Sequence, residues 1–126
     1  MKLLVVDDSN MVRSRIARIV QGGALGPVTL VGLARNGQEA LRAARVAAPD
    51  IVTMDLTMPE MDGLVCIPAL LAMHRHARIL VISALDDKST AIQALRAGAH
   101  GFLPKPFTDD ALQLALLGLM RHITPR

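Results

Sequence analysis

Five side chains in this sequence could do chemistry together: the adjacent carboxylates of Asp7 and Asp8, the carboxylate of Asp55, the hydroxyl of Ser83 and the ammonium of Lys105. Each stands at the end of a short apolar run. Lys2-Leu3-Leu4-Val5-Val6 leads into Asp7, Ile51-Val52-Thr53-Met54 into Asp55, and Gly101-Phe102-Leu103 towards Lys105-Pro106. Carboxylates crowded into one crevice repel. A hard divalent cation with oxygen ligands, magnesium or manganese, is the cheapest remedy. A carboxylate beside such a cation, a lysine and a hydroxyl can attack phosphorus, because cation and ammonium neutralise the equatorial oxygens of a transferring phosphoryl group. Asp55 is the candidate nucleophile, and the expected product is an acyl phosphate.

These residues meet only if the runs before them are neighbouring strands. The Ile51 to Asp55 run is apolar and β-branched, which fits a strand buried on both faces of a parallel sheet covered by helices. Pro59 and Asp62-Gly63 turn the chain before the next helix, so Asp55 is expected at the carboxyl end of its strand, where open α/β sheets place their chemistry. The first helix is expected from about Ser9 to Gln21, capped by Ser9 or Asn10, with Val12, Ile16, Ile19 and Val20 on one stripe and a stop at Gly22-Gly23. A strand from Val28 to Ala34 follows. Asn36-Gly37 then opens a helix carrying Ala40, Leu41, Ala44 and Ala47, which ends before Pro49.

The third helix, about Gly63 to His74, contains Pro68; a proline lacks an amide hydrogen and crowds the preceding turn, so a distorted or late-starting helix is expected. A strand from Arg78 to Ser83, a helix from Asp87 to Ala97 and a strand from His100 to Pro104 come next. The last helix begins at Thr108, whose hydroxyl caps it while Asp109 and Asp110 favour its positive end, and closes near His122. Parallel strands need right-handed crossovers, so five strand-helix units predict an α/β three-layer sandwich.

At strand ends and in order, Asp7-Asp8, Asp55 with Met58-Pro59 and Met61-Asp62-Gly63, Ser83-Ala84 and Lys105-Pro106 resemble a response-regulator receiver domain, most nearly the stand-alone chemotaxis type. The resemblance spans Lys2 to about Arg121 and implies a flavodoxin-like sheet with strand order 2-1-3-4-5. It also implies that Asp8, Asp55 and the backbone carbonyl of Thr57 hold Mg2+ or Mn2+, with Asp7 supporting the metal through water. Lys105 would pair with the phosphoryl group, and the Ser83 hydroxyl and Ala84 amide would donate hydrogen bonds to it. Ser83 and Phe102 would act as the switch residues, and the Lys105-Pro106 peptide would be cis. Thr57 would tune how fast water attacks the phosphoryl group. Taken singly, these residues have plainer roles: Asp7 and Asp8 as helix caps, Ser83 as a turn residue, Lys105 as a surface charge, Phe102 as core. Their joint placement at strand ends favours the phosphoacceptor reading.

The implied function is that of a two-component response regulator: Asp55 takes a phosphoryl group from a phosphohistidine of a histidine kinase, and the protein then changes its binding to a separate effector. It is not expected to be a turnover enzyme. The fourth helix, fifth strand and fifth helix, with Lys88, Phe102, Leu114 and Leu117, are the expected partner-binding or self-pairing face, because the last helix is apolar over more than the stripe that core packing needs. Two rivals belong to other classes. An aspartyl-phosphate phosphatase needs a general acid two residues after its nucleophile, and Thr57 is not an acid. A receiver module of a longer DNA-binding regulator would use Ile123-Thr124-Pro125-Arg126 as the start of a linker.

Composition narrows the remaining classes. The chain has 126 residues, the usual size of one domain, and 52% of them are apolar, yet no apolar run approaches the roughly 18 residues of a membrane span. Met1-Lys2 enters the first strand directly without a secretory pattern, which points to the cytoplasm. Cys66 has no partner for a disulfide and lies in an apolar helical stretch, where it reads as a small buried hydrophobe. Formal charge is +3, but seven of the eleven acids (Asp7, Asp8, Asp55, Glu60, Asp62, Asp86 and Asp87) follow expected strands. Arg13, Arg15, Arg18, Arg35, Arg42, Arg45, Arg75 and Arg78 are therefore expected on a basic surface away from the crevice. Without Trp or Tyr and with two Phe, that surface has no stacking platform for nucleic acid, and steering of acidic protein partners is the better reading.

Overall fold

The computed structural model describes residues 1–85 and 87–121. Asp86, the expected helix end at His122 and the linker reading of Ile123 to Arg126 lie outside them. Strands and helices alternate: β1 (Lys2–Val6), α1 (Asn10–Val20), β2 (Thr29–Ala34), α2 (Gly37–Val46), β3 (Ile51–Met54), α3 (Gly63–Met73), β4 (Arg78–Ser83), α4 (Lys88–Ala97), β5 (Gly101–Pro104) and α5 (Asp109–Met120). All neighbouring strands pair in parallel, in the order β2-β1-β3-β4-β5. This is the flavodoxin-like sandwich expected from the resemblance.

Strand side chains alternate between faces, and the core divides accordingly. Leu4, Val6, Val52, Met54, Ile79 and Val81 pack with α2, α3 and α4 through Ala40, Ala44, Cys66, Ile67, Leu70 and Ala94. On the other face, Leu3, Val5, Ile51, Leu80 and Ile82 meet Ile16, Ile19 and Val20 of α1 and Leu112, Leu116 and Leu119 of α5. Two helices thus cover one face and three the other. Cys66 is fully buried, and burial pushes its thiol up to about 11, as suits a core residue.

Most helix starts follow the caps legible in the sequence. Ser9, not Asn10, caps α1, its hydroxyl accepting the Val12 amide at 3.3 Å. Asn36 caps α2, Asp62 caps α3, Asp87 caps α4 and Thr108 caps α5. Of the two outcomes expected at Pro68, α3 does not start late: Asp62 Oδ1 accepts the Val65 amide at 3.0 Å and the helix runs on through Pro68. The ring sits well past the first turn, so its missing donor removes one internal bond rather than the start. Of the two leucines expected on the partner face, Leu114 is 70% exposed and Leu117 is partly buried against the core of the α1/α5 face.

Candidate functional site

The ladder between β1 and β3 brings the carboxylates together. The Asp55 amide donates to the Val6 carbonyl at 2.9 Å, and the Asp7 amide to Ala34 at 3.0 Å, so both residues extend the sheet by one step beyond the strand ends. Asp7 and Asp55 are buried and Asp8 is exposed, yet carboxylate oxygens of all three lie within 4.8 Å of one another. β5 delivers the cation. The Lys105 amide is fixed by the Ser83 carbonyl at 2.8 Å, and its ammonium reaches Asp7 Oδ2 at 2.8 Å and Asp55 Oδ1 at 3.6 Å. The Lys105-Pro106 peptide bond is cis.

Charge at this site is unbalanced. Burial, and then the neighbouring charge of Asp7, push the Asp55 carboxyl up to about 6, against the opposing pull of Lys105. One ammonium does not offset three carboxylates. Oxygen ligands of an octahedral Mg2+ stand about 3–4 Å apart, close to the spacing found here, so the donor set fits a hard divalent cation. Thr57 lies at the mouth, exposed, with its amide 3.4 Å from Asp55 Oδ1.

The loop after Asp55 is shaped by a close backbone approach. A Cβ on Gly63 would clash with the Asp55 carbonyl oxygen, so only glycine lets α3 begin against the Asp55 peptide. Glu60, in the same loop, takes a left-handed conformation with φ 70°. On the β4 side, Ser83 is buried and its Oγ accepts the Leu85 amide at 3.0 Å. Ala84 is exposed beside a cavity of about 360 Å³ that Met11, Val12, Arg15, Lys105, Pro106 and Phe107 also line. Phe102 is partly buried against the core on the α4 face.

Two arginines expected on the outer surface are part of this site's support. The Arg13 side chain is buried and its guanidinium donates to the Asp7 carbonyl at 2.7 Å and to Asn10 Oδ1 at 3.2 Å. Arg15 donates to the Phe107 carbonyl at 2.7 Å and to Asp109 at 3.0 Å. The signal for Arg13 was present: positions 13, 16 and 20 share one helical stripe, and two of them are core. Nothing local marked Arg15, whose partners lie more than ninety residues away.

Comparison with known proteins agrees with this geometry. The family model described as the response regulator receiver domain matches residues 3–117. This chain belongs to that family. Its receiver fold is similar in sequence to the chemotaxis protein CheY of Listeria monocytogenes, 38% identical over 92% of this chain and 95% of that one. The CheY of Thermotoga maritima is 36% identical over 91% and 93%. Among solved structures, the receiver resembles a chain of the CheX-CheY-BeF3-Mg complex from Borrelia burgdorferi, 28% identical with a TM-score of 0.87 over 95% and 89% of the two chains.

Proposed function

We propose that this receiver is a phosphoacceptor that takes a phosphoryl group from the phosphohistidine of a histidine kinase onto Asp55, and signals by changing its affinity for a separate effector, in control of motility. One observation carries the reading: a buried carboxylate at the end of β3, beside two more carboxylates, with the Lys105 ammonium 3.6 Å from its oxygen. Asp55 Oδ attacks phosphorus, the P–N bond to the donor imidazole breaks, and the imidazole leaves as the nitrogen regains its lone pair. Lys105 moves from Asp7 towards the new phosphoryl oxygens. The Ser83 hydroxyl and Ala84 amide donate to the same oxygens, which requires Ser83 to turn its hydrogen from solvent or neighbour towards the site. Mg2+ held by Asp8, Asp55 and the Thr57 carbonyl, with Asp7 supporting it through water, would supply charge neutralisation at the transferring group. The Borrelia relative's complex, which contains beryllium fluoride and magnesium, supports the choice of metal and of chemistry.

The partner face is read as α4, β5 and α5, with Lys88, Phe102 and Leu114 contributing and Leu117 partly buried beside them, and self-pairing through it is the alternative occupancy. CheX in that complex is an example of a separate partner. Among the described residues no helix is long and apolar enough to cross a membrane, and the protein is proposed to work in the cytoplasm without catalytic turnover. The test is intact mass after incubation with a small acyl phosphate and Mg2+. Wild type should gain one phosphoryl adduct that needs the metal, and Asp55→Asn none. An adduct retained in the mutant would remove Asp55 from its role.

A further inference from the structure

The loop that carries Lys105 is held at two points. Its Lys105 amide is bonded to β4 through the Ser83 carbonyl, and two residues later the Phe107 carbonyl accepts a 2.7 Å bond from Arg15 Nη2 on α1. The same guanidinium lies 4.5 Å from the centre of the Phe107 ring and pairs with Asp109 at the start of α5. Phe107 is buried, so the loop cannot drift at that end without opening the core between α1 and α5. Without Arg15, the Phe107 backbone loses its side-chain tie, and only the β4 bond and the buried Phe107 ring hold the segment from which the long Lys105 stem projects.

We propose that Arg15 is a positioning residue for phosphoryl transfer: by clamping Phe107 and Asp109 it fixes where the Lys105 ammonium stands relative to Asp55. The inference rests on Asp55 being the phosphoacceptor. A planar guanidinium can bond a carbonyl in its plane while stacking on a ring, and a lysine ammonium cannot do both. The bonds of Arg15 go to Phe107 and Asp109 rather than to the three carboxylates, so its effect on rate is expected to run through Lys105.

The experiment measures the phosphorylation rate with a small acyl phosphate, by intact mass, for wild type, Arg15→Met, Arg15→Lys, Lys105→Met and the Arg15→Met/Lys105→Met double variant. Mg2+ affinity is followed in the same proteins by Mn2+ competition. Arg15→Met should slow the reaction by about ten-fold, short of the roughly hundred-fold that a full 1 Å misplacement can cost, and leave metal affinity unchanged. Arg15→Lys should recover part of the rate. In the Lys105→Met background, Arg15→Met should have no further effect, because the group it positions is gone. Equal slowing in both backgrounds, or an unchanged rate in folded Arg15→Met, overturns the proposal. If Arg15→Met does not fold, Arg15→Lys and Asp109→Asn take its place under the same double-variant comparison with Lys105→Met. A wild type without any adduct overturns the Asp55 reading itself, which separates the two failures.

Discussion

The two flanks of the acid cluster are built to different standards. On the β1 side, Asp7 is held by Lys105, by the Ser9 amide at 2.9 Å and through its carbonyl by Arg13, and the face below is closed by three buried apolar side chains from each of α1, against β1, and α5, against β4 and β5. On the β4 side, the Ser83 hydroxyl is tied only locally, to the Leu85 amide, and α4 fully buries a single residue, Ala94. Leu85, Ile92 and Leu95 on that flank are each about half exposed. The tied flank sets the geometry of the carboxylates. The lightly packed flank can shift at small cost when charge is added at Asp55, since segments with few buried contacts move with the least free energy.

The sharpest way to separate the well-packed α1/α5 face from α4 is to remove core volume. Leu116 of α5 is fully buried, and Leu116→Ala should destabilise the protein by about 2–5 kcal/mol, through lost transfer energy and the cavity left behind. Urea midpoints measure this. A loss under about 1 kcal/mol would mean that α5 is no better anchored than α4.

The acid cluster itself gives the second test. A carboxyl raised from 3.8 to about 6 holds its proton more tightly in the folded state than in the unfolded one. Between those two values stability therefore falls as pH rises, and by pH 7 the ionised group costs up to about 3 kcal/mol. Asp55→Asn resembles the protonated form at all pH values. It should be more stable than wild type at pH 7, with the difference vanishing below about pH 4. Saturating Mg2+ should raise the melting temperature of wild type for the same reason, and that of Asp55→Asn much less. A variant equal to wild type at pH 7 would mean that Lys105 and Arg13 already neutralise the cluster.

A smaller effect lies under the tied flank. Thr53, on β3, is buried and its hydroxyl has no hydrogen-bond partner among the described residues. An orphaned hydroxyl costs free energy that an isosteric methyl does not, so Thr53→Val should stabilise by about 1 kcal/mol. Thermal melts would show it. A loss of stability instead would point to a buried water on Thr53.

The contrast between flanks was only half legible in the sequence. Alternating strand and helix signals placed every element, and the caps at Asn36, Asp62, Asp87 and Thr108 are local chemistry that needs no tertiary context. The carboxylates and Lys105 could be placed at strand ends because each follows an apolar run. The ties were harder. Arg13 carried the mark of an inward stripe but was read by its charge, and the Arg15 clamp depends on packing between α1 and the start of α5, which no local pattern encodes. The fourth helix is legible as part of an outward face, but that Ile92 and Leu95 are the side chains left outside, with Ala94 the one α4 residue fully buried, depends on how the helix lies on the sheet.

That exposure gives the smallest effect expected, and the most informative about the partner face. Ile92 is 48% and Leu95 56% exposed, so Ile92→Ala and Leu95→Ala leave little cavity and remove little buried surface. Each should change the unfolding free energy read from urea titrations by less than about 0.5 kcal/mol in the isolated protein. A cost several times larger would mean that something covers α4 in solution, and a second copy of the chain would betray itself by making the midpoint depend on protein concentration. A small cost with no concentration dependence leaves the face open for a separate effector. Under that outcome the same substitutions should weaken effector binding far more than they weaken the fold, since an exposed apolar side chain contributes its burial only when a partner arrives.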